Sequence, residues 1–312
     1  MTAPQPPARR REAPPDIPGL RFVSIVGRGG MAVVWKAWHQ ALGTYVAVKV
    51  LDPDFAATGA EIRQFMLEAR TMTGLRHPGL VQGHDADYAD GRYYFVMEFV
   101  DGYTFASYLA RKGPLAPADA LIVCESVAAA MKYAWDAARI VHCDLKPDNL
   151  MVNQDGVVKV MDLGLCQSTA VLRRAGRPTD EIVGTPAYIS PEQIYGNAPL
   201  DCRADIYCLG ATLYHLVTGR ILFPLRSNDD ILRRHVDPAA RAPDPRTFNP
   251  AVPEQFARLL AGMLVKDRAR RYQTWDDVCA AAQAVETGAG ELPPLPADCA
   301  SSVAVGKSVD RR

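Results

Sequence analysis

From Leu20 onward, apolar residues alternate with polar or small ones in three successive stretches. They are "RFVSIVGRGG" (21–30), "AVVWKAWHQ" (32–40) and "YVAVKVLD" (45–52). Period-two alternation predicts a β-strand in each, with a glycine turn between the first two. In "GAEIRQFMLEARTMTGL", Ile62, Phe65, Met66, Ala69, Met72 and Leu75 recur at helical spacing, which predicts an amphipathic helix. "LVQGHDADYADGRYYFVMEFV" (80–100) then reads as two strands joined through "ADGR".

Beyond residue 100 the pattern turns helical. "APADALIVCESVAAAMKYAWDAARI" is long, apolar-periodic and alanine-rich, the profile of a central core helix. Short strands follow in "LMVNQ" and "VVKVMD", then a polar, arginine-bearing segment over 166–183. Further helices are predicted in "DIYCLGATLYHLVTG", "PEQFARLLAGMLV" and "TWDDVCAAAQAVE". The expected domains are a disordered Pro/Arg-rich arm (1–20), a β-rich lobe with one helix (21–100), a mainly helical lobe (101–286) and a tail or linker (287–312). Two lobes with polar loops between them suggest an enzyme with a cleft site.

Composition narrows the function classes. The 312 residues carry 35 Lys plus Arg and 35 Asp plus Glu, so no net field recruits nucleic acid or an anionic membrane. The N-terminus has a basic cluster without an apolar run behind it, so it is not read as a signal peptide, and no stretch of about 18 apolar residues predicts a span. Seven cysteines without a CxxC pair argue for reduced, mostly buried thiols rather than a disulfide framework or a structural zinc site.

The chemistry concentrates in a few stretches. "GRGGMAVV" (27–34) lets backbone N–H groups approach a phosphate, although a glycine turn between strands, taken alone, is most often a hairpin. Lys49 shares a strand face with Ala47 and needs a counter-charge or an anionic ligand there; Glu68 on the following helix is the natural partner. In "IVHCDLKPDNLMV" (140–152) Asp144, Lys146 and Asn149 project from one loop, and Asp162 follows at the end of the next strand. Asp144 suits proton acceptance from a hydroxyl nucleophile, Lys146 suits charge compensation on a phosphoryl group, and Asn149 and Asp162 are hard oxygen donors suited to Mg²⁺. His142, wedged after Ile140 and Val141, reads as a buried structural histidine.

Together "GRGGMAVV", "VAVKV", "FMLEAR", "HCDLKPDN", "DLG" (162–164), "GTPAYISPE" and "DIYCLG" resemble, in order, the eukaryotic-type (Hanks-type) serine/threonine protein kinases, bacterial branch, over about residues 21–285. The resemblance implies a bilobal α+β kinase fold and transfer of the ATP γ-phosphoryl to Ser/Thr hydroxyls of proteins, the chain itself included. It assigns ATP contacts to Gly27, Arg28, Gly29, Gly30, Val34, Ala47, Lys49, Met97, Glu98, Val100 and Met151. Chemistry falls to Asp144, Lys146, Lys49, Glu68 and Thr185, and Mg²⁺ (or Mn²⁺) to Asn149 and Asp162. Glu192 is expected to pair with Arg271, and Asp205 to brace the catalytic loop. Implied partners are ATP, protein substrates and a second copy through the N-lobe, in the cytoplasm, with no nucleic acid and no membrane span in this chain.

Three positions depart from the family pattern: Ala32 at the third glycine, Leu163 in the metal motif, and Cys143 where many kinases carry Arg. Ala32 and Leu163 are the only support for a rival reading, a fold that has lost transfer. A small-molecule phosphotransferase is the other rival, and "GTPAYISPE" with "DIYCLG" speaks against it. Cysteine cannot make the bidentate phosphate contact through which that Arg couples activation-segment phosphorylation to the catalytic loop, and a thiol partnership with Cys166 is the alternative duty. Replacing Ser168, Thr169 and Thr179 together by Ala is therefore expected to leave most activity in a radiolabelled phosphotransfer assay. A loss of about a hundredfold or more, the size of a general acid–base contribution, would overturn that expectation.

Overall fold

The computed structural model describes residues 13–29, 31–53, 59–163, 184–196 and 198–287. The chain divides into two compact units: residues up to Arg70 with Gly83–Phe99, and Thr71–Gln82 with Val100 onward.

The first unit is one antiparallel sheet in the order β1-β2-β3-β5-β4, built from β1 (Leu20–Arg28), β2 (Ala32–His39), β3 (Thr44–Leu51), β4 (Gly83–Ala89) and β5 (Arg92–Glu98). Alternation on β3 sorts its two faces, as a pleated strand requires. Val46, Val48 and Val50 are buried with Trp35, Ala37, Tyr94 and Val96, while Ala47 and Lys49 point to the opposite face. The β4–β5 turn places Asp90 and Gly91 at φ 49° and 74°, the left-handed pair of a tight hairpin. α1 (Gly59–Gly74) starts in this unit and buries Phe65 and Ala69.

Two expectations are corrected here. The arm expected over residues 1–20 does not extend through Ala13–Gly19. Ile17 is buried in the sheet's core, the Asp16 amide donates to Asp90 Oδ2, and Arg92 donates to the Ala13 carbonyl. Nor do Leu80 and Val81 belong to the hairpin. Leu80 bridges Val160 in parallel, and the Val81 amide donates to the Val160 carbonyl at 3.0 Å. A lone apolar pair flanking a strand looks the same in sequence whichever sheet receives it.

The second unit has a three-stranded antiparallel sheet, β6 (Gly102–Thr104), β7 (Leu150–Asn153) and β8 (Val158–Val160). Its α-helices are α2 (Phe105–Lys112), α3 (Pro117–Ala138), α4 (Pro191–Tyr195), α5 (Cys202–Thr218), α6 (Asn228–Val236), α7 (Glu254–Met263) and α8 (Trp275–Thr287). α5 is buried almost all round, from Cys202 to Thr218, the pattern of a helix at the centre of a unit. Asp201 caps its start by accepting from the Arg203 amide, and Gly219 at φ 68° ends it. α7 packs on α5, and α8 on α3 and α7.

The sequence reading passed over β6, α2, α4 and α6. They are short, or bury only one to three side chains, as α2 does with Phe105 and α6 with Ile231 and His235. Periodicity has little to register in such elements.

Where α5 meets α7, Gly210 leaves no room for a side chain, since an added Cβ would lie 2.8 Å from Met263 Cβ. Gly210→Ala is expected to lower unfolding free energy by about 1–2 kcal/mol, because overpacking outweighs the gain in helix propensity. Urea denaturation followed by circular dichroism measures it, and an unchanged midpoint would contradict the packing argument.

Candidate active site

In the first unit, Lys49 stands on β3 opposite Val34 of β2 and Phe95 of β5. Its ammonium reaches Glu68 Oε1 on α1 at 2.6 Å, with both side chains largely shielded from solvent. The counter-charge demanded by a lysine on an apolar sheet face is thus met by the glutamate expected from the sequence. Ala47 and Met97 face each other across β3 and β5, and Glu98 follows opposite Val46. In the glycine turn, the Gly29 amide donates to the Ala32 carbonyl at 2.9 Å, and Gly27 pairs with Val34. A Cβ at Gly27 or Gly29 would meet nothing closer than 3.6 Å. The fold therefore does not itself demand glycine at these two positions, and backbone without a Cβ is left open at the β1–β2 turn. Gly30 lies outside the described residues.

In the second unit the loop from His142 to Asn149 is assembled from the backbone outward. Asp205 on α5 is fully buried; its Oδ2 accepts from the His142 amide at 2.6 Å and its Oδ1 from the Cys143 amide at 2.7 Å. Burial pushes the Asp205 carboxyl up to about 6, against the pull of His142 and these two N–H donors. Thr212, two turns along α5, donates to the Leu145 carbonyl at 2.9 Å, and Gln193 of α4 donates to the Cys143 carbonyl at 2.7 Å. His142 is buried with Nε2 2.8 Å from the Met161 carbonyl, and its Nδ1 accepts from the Asp144 amide at 3.3 Å. That pattern leaves the ring's proton on Nε2 and matches the structural role read from the sequence. Cys143 and Asp162 sit at φ 66° and 52°, left-handed conformations that non-glycine residues hold only when their surroundings over-determine them.

On this frame the polar side chains converge. Asp144 Oδ1 accepts from the Thr185 hydroxyl at 2.7 Å and from the Thr185 amide at 3.0 Å. Asp144 Oδ2 is 2.7 Å from Lys146 Nζ, which also donates to the Thr185 hydroxyl at 2.7 Å. The Asn149 amide nitrogen donates to the Asp144 carbonyl at 2.9 Å and to Oδ2 at 3.2 Å, which turns its oxygen away from Asp144. Met151 follows on β7, paired with Thr104, and Asp162 follows β8. Lower in the unit, Glu192 and Arg271 form a buried two-pronged ion pair at 2.6 and 3.0 Å. Arg271 also donates to the Val265, Lys266 and Arg203 carbonyls, so its buried charge is well compensated.

Gln193 and Thr212 were not singled out from the sequence. Their signal was weak: a polar side chain in "SPEQ" and one in the otherwise apolar face of "CLGATLYHL". Among the cysteines, Cys124, Cys202 and Cys208 are free and buried, with Cys202 pushed up to about 12 by burial, and Cys279 is free and half-buried. Cys143 is buried with Val141 and Ala204. Cys166, Ser168, Thr169 and Thr179 lie outside the described residues.

The protein kinase domain family matches residues 20–284. PrkC of Bacillus subtilis, a serine/threonine-protein kinase, is 36% identical over 258 residues, 83% of this chain and 39% of that protein's length. PknA of Mycobacterium tuberculosis is 35% identical over 281 residues, 88% of this chain and 63% of PknA. The crystal structure of the Mycobacterium tuberculosis PknI kinase domain superposes with a TM-score of 0.65 at 24% identity, covering 86% of this chain and 96% of that one. The chain thus spans about two-fifths of PrkC, and every one of these relatives is bacterial. By the match across both units and by its ordered motifs, the chain belongs to the protein kinase domain family, in its bacterial Hanks-type branch.

Proposed function

We propose that the protein transfers the γ-phosphoryl of ATP to serine and threonine hydroxyls of proteins, itself included. One observation carries this reading: Asp144 already holds a hydroxyl, that of Thr185, at 2.7 Å while Lys146 donates to the same oxygen. A substrate hydroxyl presented to Asp144 is oriented in the same way. As its oxygen bonds to the γ-phosphorus and the bond to ADP breaks, the hydroxyl proton passes to the Asp144 carboxylate. Lys146 offsets charge on the phosphoryl oxygens in flight.

The remaining roles follow the chemistry of each side chain. Lys49, fixed by Glu68, takes the α- and β-phosphates. The backbone at Gly27 and Gly29 carries no Cβ to hinder phosphate oxygens, and Arg28 stands between them on the same stretch. Val34, Ala47 and Met97 supply apolar surface for the base, and the backbone of Glu98 and Val100 supplies its hydrogen bonds. Asn149 and Asp162 are the hard oxygen donors for Mg²⁺ or Mn²⁺, and a bound divalent ion neutralises the phosphates. Two protein donors fit an ion that keeps several waters.

No helix among the described residues is long and apolar enough to cross a membrane. A domain that consumes ATP is assigned to the cytoplasm. Exposed Val23 and Val26 on β1 support the reading of a homodimer through the first unit, and nucleic acid has no part in this reading.

Asp144→Ala is expected to reduce autophosphorylation with Mg²⁺ and ATP by about 10²–10⁴-fold, the contribution of a positioned general base. Autophosphorylation equal to wild type would remove Asp144 from the mechanism. No incorporation by wild type into any Ser/Thr peptide would overturn the function itself.

A further inference from the structure

The second unit holds a cavity of about 250 Å³ between α5, α7 and the connection from α6 to α7. Tyr214 of α5, Leu260 of α7 and Leu264 just after it form apolar walls, and the stretch from Pro238 to Pro245 supplies another side. The space has a local cause. Ala257 and Ala261 also line the cavity, and four residues apart on α7 they share one helix face. Two methyl side chains in a row leave volume that the leucines do not fill. Close-packed interiors hold few gaps larger than a water, and an apolar cavity of about 150 Å³ already takes a benzene ring. This one has room for a ring and a short arm.

The charged side chains around it are unequal in sign. Arg241, Lys266 and Arg270 line the cavity, against Asp244 and Asp267. Asp244 is already held by Arg246, whose Nε donates to Oδ1 at 3.0 Å and Nη2 to Oδ2 at 2.6 Å. Asp267 accepts from the Ala269 amide at 2.9 Å. Arg241 and Arg270 are exposed at the rim, whereas Lys266 is half-buried. The Lys266 ammonium donates to the Arg234 and Asp237 carbonyls at the end of α6, at 2.5 and 2.6 Å, and stands 5.2 Å from the centre of the Phe223 ring. An ammonium has three N–H groups, and no acceptor among the described residues takes the third. Burial, with Arg234 and Arg241 nearby, pulls the Lys266 pKa down to about 8 against the opposite pull of Asp237. That is the behaviour of a cation short of anionic neighbours.

We propose that this cavity binds a small organic monocarboxylate, its apolar body against Tyr214 and the α7 alanines and its carboxylate on the cationic side formed by Arg241, Lys266 and Arg270. The lining selects that class. An inorganic anion leaves the apolar walls wet, and a neutral ring desolvates the lysine without supplying an acceptor. An apolar acid answers both, giving the spare N–H a charged acceptor while its body displaces water from the walls. None of the catalytic side chains takes part, so the site goes beyond the phosphoryl-transfer reading and stands or falls apart from it.

The test titrates the full chain, labelled with ¹³C in its alanine methyls, with 3-phenylpropionate. The Ala257 and Ala261 methyl resonances are expected to move saturably with a Kd on the order of 1 mM, a fair affinity for so small a ligand. The matching alcohol, 3-phenylpropan-1-ol, is expected to bind at least about tenfold more weakly, the size of one charge-assisted hydrogen bond. Acetate, which has the charge without the ring, is expected to leave both methyls in place. Arg241→Ala combined with Arg270→Ala is expected to weaken the acid about fivefold or more, and Ala261→Phe to abolish its binding by filling the space. Should Ala261→Phe fold poorly, the double arginine variant decides, since both its positions are exposed. Equal affinity for acid and alcohol, or wild-type affinity in the double variant, overturns the proposal. So does acid that moves other methyls and leaves these two unmoved. The absence of any saturable shift, as for a cavity covered by another segment of the chain or by a second copy, overturns it as well.

Discussion

The buried carboxylate of Asp205 is the contact on which the catalytic loop depends. A loop cannot bury its backbone amides without acceptors, and the two amides before Asp144 point into the unit's core. Asp205 satisfies both at once, from a helix that is itself packed on nearly every side. The cost of burying the charge shows in its raised pKa, and the two N–H donors and His142 offset part of it. α5 thereby sets the height and angle at which Asp144 leaves the scaffold, and Thr212 and Gln193 hold the neighbouring carbonyls.

Once that backbone is held, the side chains have little freedom left. Asp144 is bound by Thr185, Lys146 and Asn149, so its carboxylate is aimed before any substrate arrives. Pre-aimed groups need no reorganisation during reaction, which is where fixed polar sites derive most of their effect. The left-handed residues Cys143 and Asp162 bracket this region. Their strain is held by the hydrogen bonds around them, as is usual where geometry serves function. In the first unit the Lys49–Glu68 pair has the same character, a charge placed on an apolar face and held there by one designated partner.

Much of this was legible in the chain. The strands of the first unit, α1, α3 and α5 announced themselves by periodicity, and Lys49, Glu68, Asp144, Lys146, Asn149 and Glu192 by residue type within ordered motifs. The elements that escaped notice, β6, α2, α4 and α6, are short or bury few side chains. Gln193 and Thr212 escaped because a polar side chain that bonds a backbone carbonyl looks, in sequence, like any surface residue.

The sequence by itself determined which polar groups exist and which faces of strands and helices are apolar, because both are local properties repeated every two or three to four residues. Tertiary structure decided the rest. It set Asp205 under amides 62 and 63 residues earlier, and brought His235 against the Tyr207 hydroxyl 28 residues before it. Those pairings depend on how helices pack against one another, and no periodicity along the chain records which distant backbone group a buried side chain will meet.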